Sequence, residues 1–418
     1  MIKVRGSEVR GTVVAPPSKS HTHRAIFLSG MAMGRSHIST PLISADTVAS
    51  LQAMNAFGAR FYEHDNGITV NGGTLTSAER TVNVGNSGTT LRLLAGLASL
   101  FPDTTTIDGD SSLRTRPMAP LLESLTEMGA ICNSRNGYPP VSIRGPLSSN
   151  STSIRGDLSS QFISSLLISS GLRKEGAEIR IKGRLSSRPY VDITIDMMER
   201  FGVPVKICES GFRVVGGGYR ACNYEVPGDF SSAAFPLVAG ALCGSVTVNG
   251  LNIEDRQGDK EIVRILQAFG AEVKIGNGWV RSQNSPLKST DVDMSDTPDL
   301  FPIVAVLATK ASGKSRLYNA QHLRFKETDR IATTVGFLRA MGADVIAHED
   351  GCSIQGGRAL KGCTVNTYGD HRIMMAAFVA ALSAEGVTEI ICNDEYKVSY
   401  PLFLEHMKSL GADWSEIR

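Results

Sequence analysis

The chain has 418 residues, more than one ordinary hydrophobic core organises, so length alone points to two or more domains. Its 42% hydrophobic and 20% charged residues exclude a disordered chain, and a formal net charge of +2 excludes the broadly basic surface of a general nucleic-acid binder. No apolar run reaches the roughly 18 to 20 residues that cross a bilayer, so the reading is a cytoplasmic protein with no membrane partner.

Two short extended stretches, MIKVRG and VRGTVVA, come first and do not have the basic-then-apolar form of a signal peptide. After Pro16 and Pro17, the segment SKSHTHRAIFLSGMA opens with Lys19, Ser20 and Arg24 and runs into an apolar body. A helix apolar on all sides belongs inside a domain, which leaves its polar head to face a site. The next element differs in kind. LQAMNAFGARFYEHDNGITVNGG reads as an amphipathic helix stopped by Gly58, then two strands joined by an Asn66-Gly67 hairpin turn.

Both kinds of segment recur at a step of about 70 residues, the signature of an internal repeat. The helix-ending glycines are Gly58, Gly129, Gly202, Gly270, Gly342 and Gly411. Polar heads on apolar bodies return as GNSGTTLRLLAGLAS, GDLSSQFISSLLISSG, PGDFSSAAFPLVAGALC, TPDLFPIVAVLAT and YGDHRIMMAAFVAAL. In the fourth repeat Ile262, Ile265, Leu266 and Phe269 make one apolar stripe at helical spacing, and Asn277-Gly278 marks the hairpin that follows. The expectation is an α/β protein of six repeats with six buried helices. The sixth repeat lacks closing strands and the N-terminus has spare ones, so the chain is expected to close on itself. That gives a terminal domain from residues 1–16 and 227–418 and a middle domain from 17–226, three repeats each, with the active site in a hinged cleft between them.

A helix N-terminus carries unpaired N–H groups and about half a positive charge, which suits an anion. The heads supply Lys19, Ser20 and Arg24; Asn86, Ser87 and Gly88 with Arg92; and Ser159, Ser160 and Gln161. Loops add Arg114, Arg116, Arg188, Lys326, Arg330, Arg372 and Lys397. Arg grips carboxylate or phosphate with two bonds at once, so the expected ligand is small and heavily anionic. Asp299 and Glu327 stand among these cations, where a carboxylate opposes anion binding unless it moves protons; they are the acid-base candidates.

One Ser or Asp before an apolar run is an ordinary cap, and KETDR alone is an ordinary helix start; six heads in register are what point to a site. His21 and His23, two residues apart, do not share a helix face and are read as packing or exposed residues, not metal ligands. The seven cysteines show no C-x-x-C spacing and are expected to be reduced and mostly buried. GNSGTT lacks the P-loop spacing, so no nucleotide is implied, and neither is a metal or other cofactor.

With PPSKSHTHR, GNSGTTLR, LRTRP, SSQF, SRPYVDIT, TPD, KETDRI, GDHRIMM and SYP in this order, nearly the whole chain resembles the 5-enolpyruvylshikimate-3-phosphate synthase family. The resemblance implies two similar domains of three βαβαββ units each, an inside-out α/β barrel of the enolpyruvyl transferase type. It implies transfer of the enolpyruvyl group of phosphoenolpyruvate to the 5-hydroxyl of shikimate 3-phosphate, on the pathway to chorismate and the aromatic amino acids, without cofactor or metal. It also implies that Ser20, Arg24, Ser159, Ser160, Gln161, Ser187, Asp299 and Lys326 hold shikimate 3-phosphate. Lys19, Gly88, Arg116, Gln161, Arg330 and Arg372, with Asn86 beside them, would hold phosphoenolpyruvate. Asp299 would be the base and Glu327 the acid, with Lys19 near both substrates.

Two departures stand out. The Lys that precedes the SYP-like motif in many bacterial members is matched by Val398, with Lys397 one residue earlier, and an Asn common near KETDR is matched by His322. Glyphosate, the family's phosphoenolpyruvate-competitive inhibitor, is expected to fit because Gly88 leaves room. The rival readings are a UDP-N-acetylglucosamine enolpyruvyl transferase, whose usual loop Cys is missing from DGDSSLRTRP, and a non-catalytic anion-binding protein, which has no use for Asp299 and Glu327. A monomer is expected, because one chain supplies the whole cleft.

Overall fold

A helix that is apolar all round has no face to offer water and must be enclosed, whereas one with a single apolar stripe can cover it. The computed structural model describes residues 1–77 and 79–417, and it divides into two compact units, Pro17–Val226 and Met1–Pro16 with Pro227–Arg418. In the middle unit, enclosed and covering helices alternate: α1 (Lys19–Met31), α2 (Ala45–Ala56), α3 (Gly88–Ala98), α4 (Ala119–Glu127), α5 (Ser160–Leu172) and α6 (Arg188–Arg200). Every residue of α1 from His21 to Met31 is buried, while α4 buries one stripe, Leu121, Leu122, Ser124 and Leu125.

The terminal unit repeats the alternation with α7 (Phe230–Cys243), α8 (Ile262–Ala268), α9 (Phe301–Lys310), α10 (Arg330–Ala340), α11 (His371–Leu382) and α12 (Phe403–Ser409). Here α7, α9 and α11 pack on one another at the centre, and α11 is buried along its whole length. The apolar periodicity therefore separates the two helix classes as expected.

Each unit carries three four-stranded sheets of one pattern, a parallel pair continued by an antiparallel hairpin. Of the two spare N-terminal strands, the first completes the sixth repeat as expected and the second joins the fourth. Ile2–Arg5 lies antiparallel between Val387–Ile391 and Trp414–Glu416, and Val9–Val14 pairs in parallel with Gly244–Asn249. All six helix-ending glycines have positive φ, from 84° at Gly342 to 106° at Gly58, the left-handed conformation that stops a helix at low cost.

Two local expectations are corrected. Asn277-Gly278 is the hairpin turn, but in the first repeat the turn is Asp65-Asn66 and Gly67 begins the next strand; a Cβ there would meet the Ile38 carbonyl oxygen at 2.1 Å, so glycine is required by strand packing. The cysteines are free, yet only Cys352 and Cys392 are buried and Cys208 is exposed. Cys132 and Cys208 lie on outer hairpin strands, which turn one face to water. His21 and His23 are both buried and packed, bonded to Ser18 and Ser50. Among the described residues no helix is long and apolar enough to cross a membrane.

Candidate active site

In the middle unit the three enclosed helices all start from serine: Ser18, Ser87 and Ser159. Ser87 and Ser159 accept from Thr90 N and Gln161 N, each at 3.3 Å, and satisfy donors that the first helical turn leaves open. A serine cap adds no charge, so the positive end of each helix is not cancelled by its own cap. Lys19 reaches Asp46 of α2 at 3.3 Å, with both side chains mostly buried. Arg116 donates to Asn86, and Arg92 donates to Gln161 Oε1 at 2.5 Å while Gln161 donates to Thr89 at 3.0 Å. Gly88 lies against this cluster; a Cβ on it would stand 2.8 Å from Arg116 Nη1.

Arg24 is fully enclosed, and its guanidinium meets four neutral oxygens: Thr194 Oγ1 at 2.7 Å, the Ser20 carbonyl at 2.8 Å, the Tyr190 carbonyl at 3.0 Å and Ser164 Oγ at 3.3 Å. Burial pushes it down to about 10, which still leaves it charged at neutral pH. It ties the head of α1 to α5 and α6. Ser187 starts α6 from a left-handed φ of 56°, a conformation that costs a non-glycine residue about 1 kcal/mol or more.

In the terminal unit aspartate caps the enclosed helices α7 and α11 and stands just before α9. Asp229 accepts from Ser232 N at 3.0 Å before α7, Asp370 accepts from Arg372 N at 2.9 Å before α11, and Asp299 sits in the 3-10 turn Pro298–Leu300 that leads into α9. Arg330, the first residue of α10, is 2% exposed and donates to three carboxylates at once. Nη1 reaches Asp299 at 2.7 Å, Nη2 reaches Glu327 at 2.6 Å and Nε reaches Asp370 at 2.8 Å. Arg372 Nη2 holds the other oxygen of Asp299 at 2.9 Å.

Burial works against the charge on Asp299, but Arg372, Arg330 and Lys326 outweigh it and hold the carboxyl well below its usual range. It is ionised at neutral pH. His322 is pushed down to about 3 by burial and then by Lys326, so it stands neutral, and its buried Nε2 has no hydrogen-bond partner among the described residues. Burial also pushes the Asp229 carboxyl up, against the pull of Arg372.

The family profile for EPSP synthase (3-phosphoshikimate 1-carboxyvinyltransferase) matches residues 4–407. The chain belongs to the EPSP synthase family. It is 49% identical over 417 residues to the 3-phosphoshikimate 1-carboxyvinyltransferase of Methanocorpusculum labreanum, covering 99% of each chain. It is 46% identical over 415 residues to that of Methanothermobacter thermautotrophicus, covering 97% of each. Among solved structures, EPSP synthase from Acinetobacter baumannii superposes with a TM-score of 0.81 at 29% identity, covering 99% of both chains.

Within this EPSP synthase fold the sequence-derived candidates gather unevenly. Asn86, Gly88 and Arg116 form one group, as do Asp299, Glu327, Arg330 and Arg372, while Lys326 acts on Asp299 through its charge. Ser160 is buried in the first turn of α5. Lys397 is half exposed and paired with Asp394 at 2.6 Å, and Arg114 is held by Asp108 at 2.6 Å. The sequence reading missed Asp46 and Asp370. Asp370 was within reach of it, because GDHR occupies the same place in its repeat as PGDF, where Asp229 caps α7.

Proposed function

We propose that the chain transfers the enolpyruvyl group of phosphoenolpyruvate to the 5-hydroxyl of shikimate 3-phosphate, giving 5-enolpyruvylshikimate 3-phosphate and phosphate. Family membership supports the reaction. The observation that carries the assignment of roles is that one buried guanidinium, Arg330, touches both Asp299 and Glu327. Two carboxylates on one anion-binding arginine place proton acceptor and proton donor beside a bound anion, which a passive anion binder does not need.

Asp299, kept ionised by Arg372 and Arg330, takes the proton of the 5-hydroxyl as its oxygen bonds to C2 of phosphoenolpyruvate. Glu327 delivers a proton to C3. In the tetrahedral adduct a proton then leaves the new methyl group and the C2–O bond to phosphate breaks, which restores the double bond. Arg330, Arg372, Arg116 and Lys19 are the proposed partners of the phosphoenolpyruvate charges, with Gln161 and Asn86 beside them. Shikimate 3-phosphate is assigned to Ser20, Ser159, Ser160, Gln161, Ser187 and Lys326, with Arg24 acting on Ser20 through its backbone bond. Lys397, paired with Asp394, is proposed to reach phosphoenolpyruvate only by exchanging that partner. The acting species is proposed to be a monomer, which sedimentation of the purified protein checks.

The reaction is tested by phosphate release from phosphoenolpyruvate with and without shikimate 3-phosphate, and with UDP-N-acetylglucosamine as the control acceptor. Release that requires shikimate 3-phosphate is expected. Release with the nucleotide sugar alone, or with neither acceptor, overturns the assignment.

A further inference from the structure

Asp370 has the most enclosed carboxylate bound to Arg330, with 0% exposure; both of its oxygens bond the Arg330 guanidinium, and one of them also holds the backbone of Arg372. Oδ2 accepts from Arg330 Nε at 2.8 Å and from Thr328 Oγ1 at 3.1 Å, while Oδ1 accepts from Arg330 Nη2 at 3.4 Å and from the backbone N–H of Arg372 at 2.9 Å. A guanidinium is a rigid plane, so fixing its Nε edge fixes where Nη1 and Nη2 point, here to Asp299 and Glu327. The same carboxylate sets the first turn of α11, from which the Arg372 side chain reaches Asp299.

We infer that Asp370 is a positioning residue that aims both proposed phosphoenolpyruvate arginines and, by holding part of the charge of Arg330, lets Glu327 carry the proton it must deliver. This rests on the proposed reaction. The charged groups around Glu327 include Arg330 and, through it, Asp370 from the head of α11; Asp299 from the turn before α9, with Arg372 behind it; and, from its own segment, Lys326 and the Arg324–Asp329 pair. If Asp370 loses its charge, Arg330 has one carboxylate fewer to share itself among. Its grip on Glu327 tightens, the ionised form of Glu327 gains, and the proton is lost at lower pH.

The test is Asp370→Asn, which keeps shape and an acceptor oxygen for the Arg372 N–H but removes the charge, beside Asp370→Glu, which keeps the charge and displaces the oxygens. In Asp370→Asn the KM for phosphoenolpyruvate is expected to rise about tenfold and the KM for shikimate 3-phosphate to stay within about twofold. The basic limb of the kcat profile is expected to move down by about one pH unit. Asp370→Glu is expected to show the same split in KM with the basic limb at its parent position. An unmoved limb in Asp370→Asn, or equal rises in both KM values in either variant, makes Asp370 a plain helix cap and overturns the inference. Should Asp370→Asn fail to fold, the KM split in Asp370→Glu decides alone. Failure of the underlying reaction is seen separately, since the parent enzyme then releases no phosphate with shikimate 3-phosphate.

Discussion

Gly88 is glycine because of what a side chain would strike. A methyl group there would lie 2.8 Å from Arg116 Nη1 and 3.3 Å from Arg92 Nη1, both at the far ends of long side chains bonded to Asn86 and Gln161, so the backbone can stay and the guanidiniums must yield. Arg116 then leaves Asn86. Gly88→Ala is expected to raise the KM for phosphoenolpyruvate about tenfold, the cost of one charge-assisted bond, and to weaken glyphosate inhibition more than shikimate 3-phosphate binding. Equal losses in steady-state assays exclude the steric account. His322 makes a different prediction. Its folded form titrates at about 3 against 6.5 for the free side chain, so below 6.5 the unfolded chain binds the extra proton and stability is lost as pH falls toward 3. Urea unfolding of His322→Asn at pH 7 and at pH 4 is expected to show a smaller loss between the two than the parent, by about 3 kcal/mol. An unchanged difference means that folding does not lower the pKa of His322.

The two sets of enclosed helices differ in one systematic respect, serine at the heads of α1, α3 and α5 and aspartate at or beside the heads of α7, α9 and α11. A neutral cap leaves the helix end free to attract an anion, whereas an ionised one cancels it and binds arginine instead. Ser87→Ala is expected to cost about 1 to 2 kcal/mol in urea unfolding, because Thr90 N loses its acceptor and Thr90 Oγ1 loses a partner at 2.7 Å. The helices were legible in the sequence because apolar period, cap and glycine stop are local signals. The hairpin of the first repeat was misplaced by one residue because the need for Gly67 arises from Ile38 on another strand. The Arg330 cluster was legible only as a set of candidates, since its partners come from three separate segments and no local pattern pairs them.

At the scale of the molecule, the step of about 70 residues could be counted without any structure, and six sheets of one pattern follow it. What the count could not supply was which strand fills which vacancy. Ile2–Arg5 pairs with strands almost the whole chain away, and Val9–Val14 with one in the fourth repeat. During synthesis this order matters. The strands of the middle unit are all made by Val226, whereas Ile2–Arg5 must wait with bare edges until Val387–Ile391 and Trp414–Glu416 emerge. Unpaired edges invite pairing with other chains, and Ile2–Arg5 is short and carries Lys3 and Arg5, which discourages it. A strand made early in its unit thus meets both of its partners late.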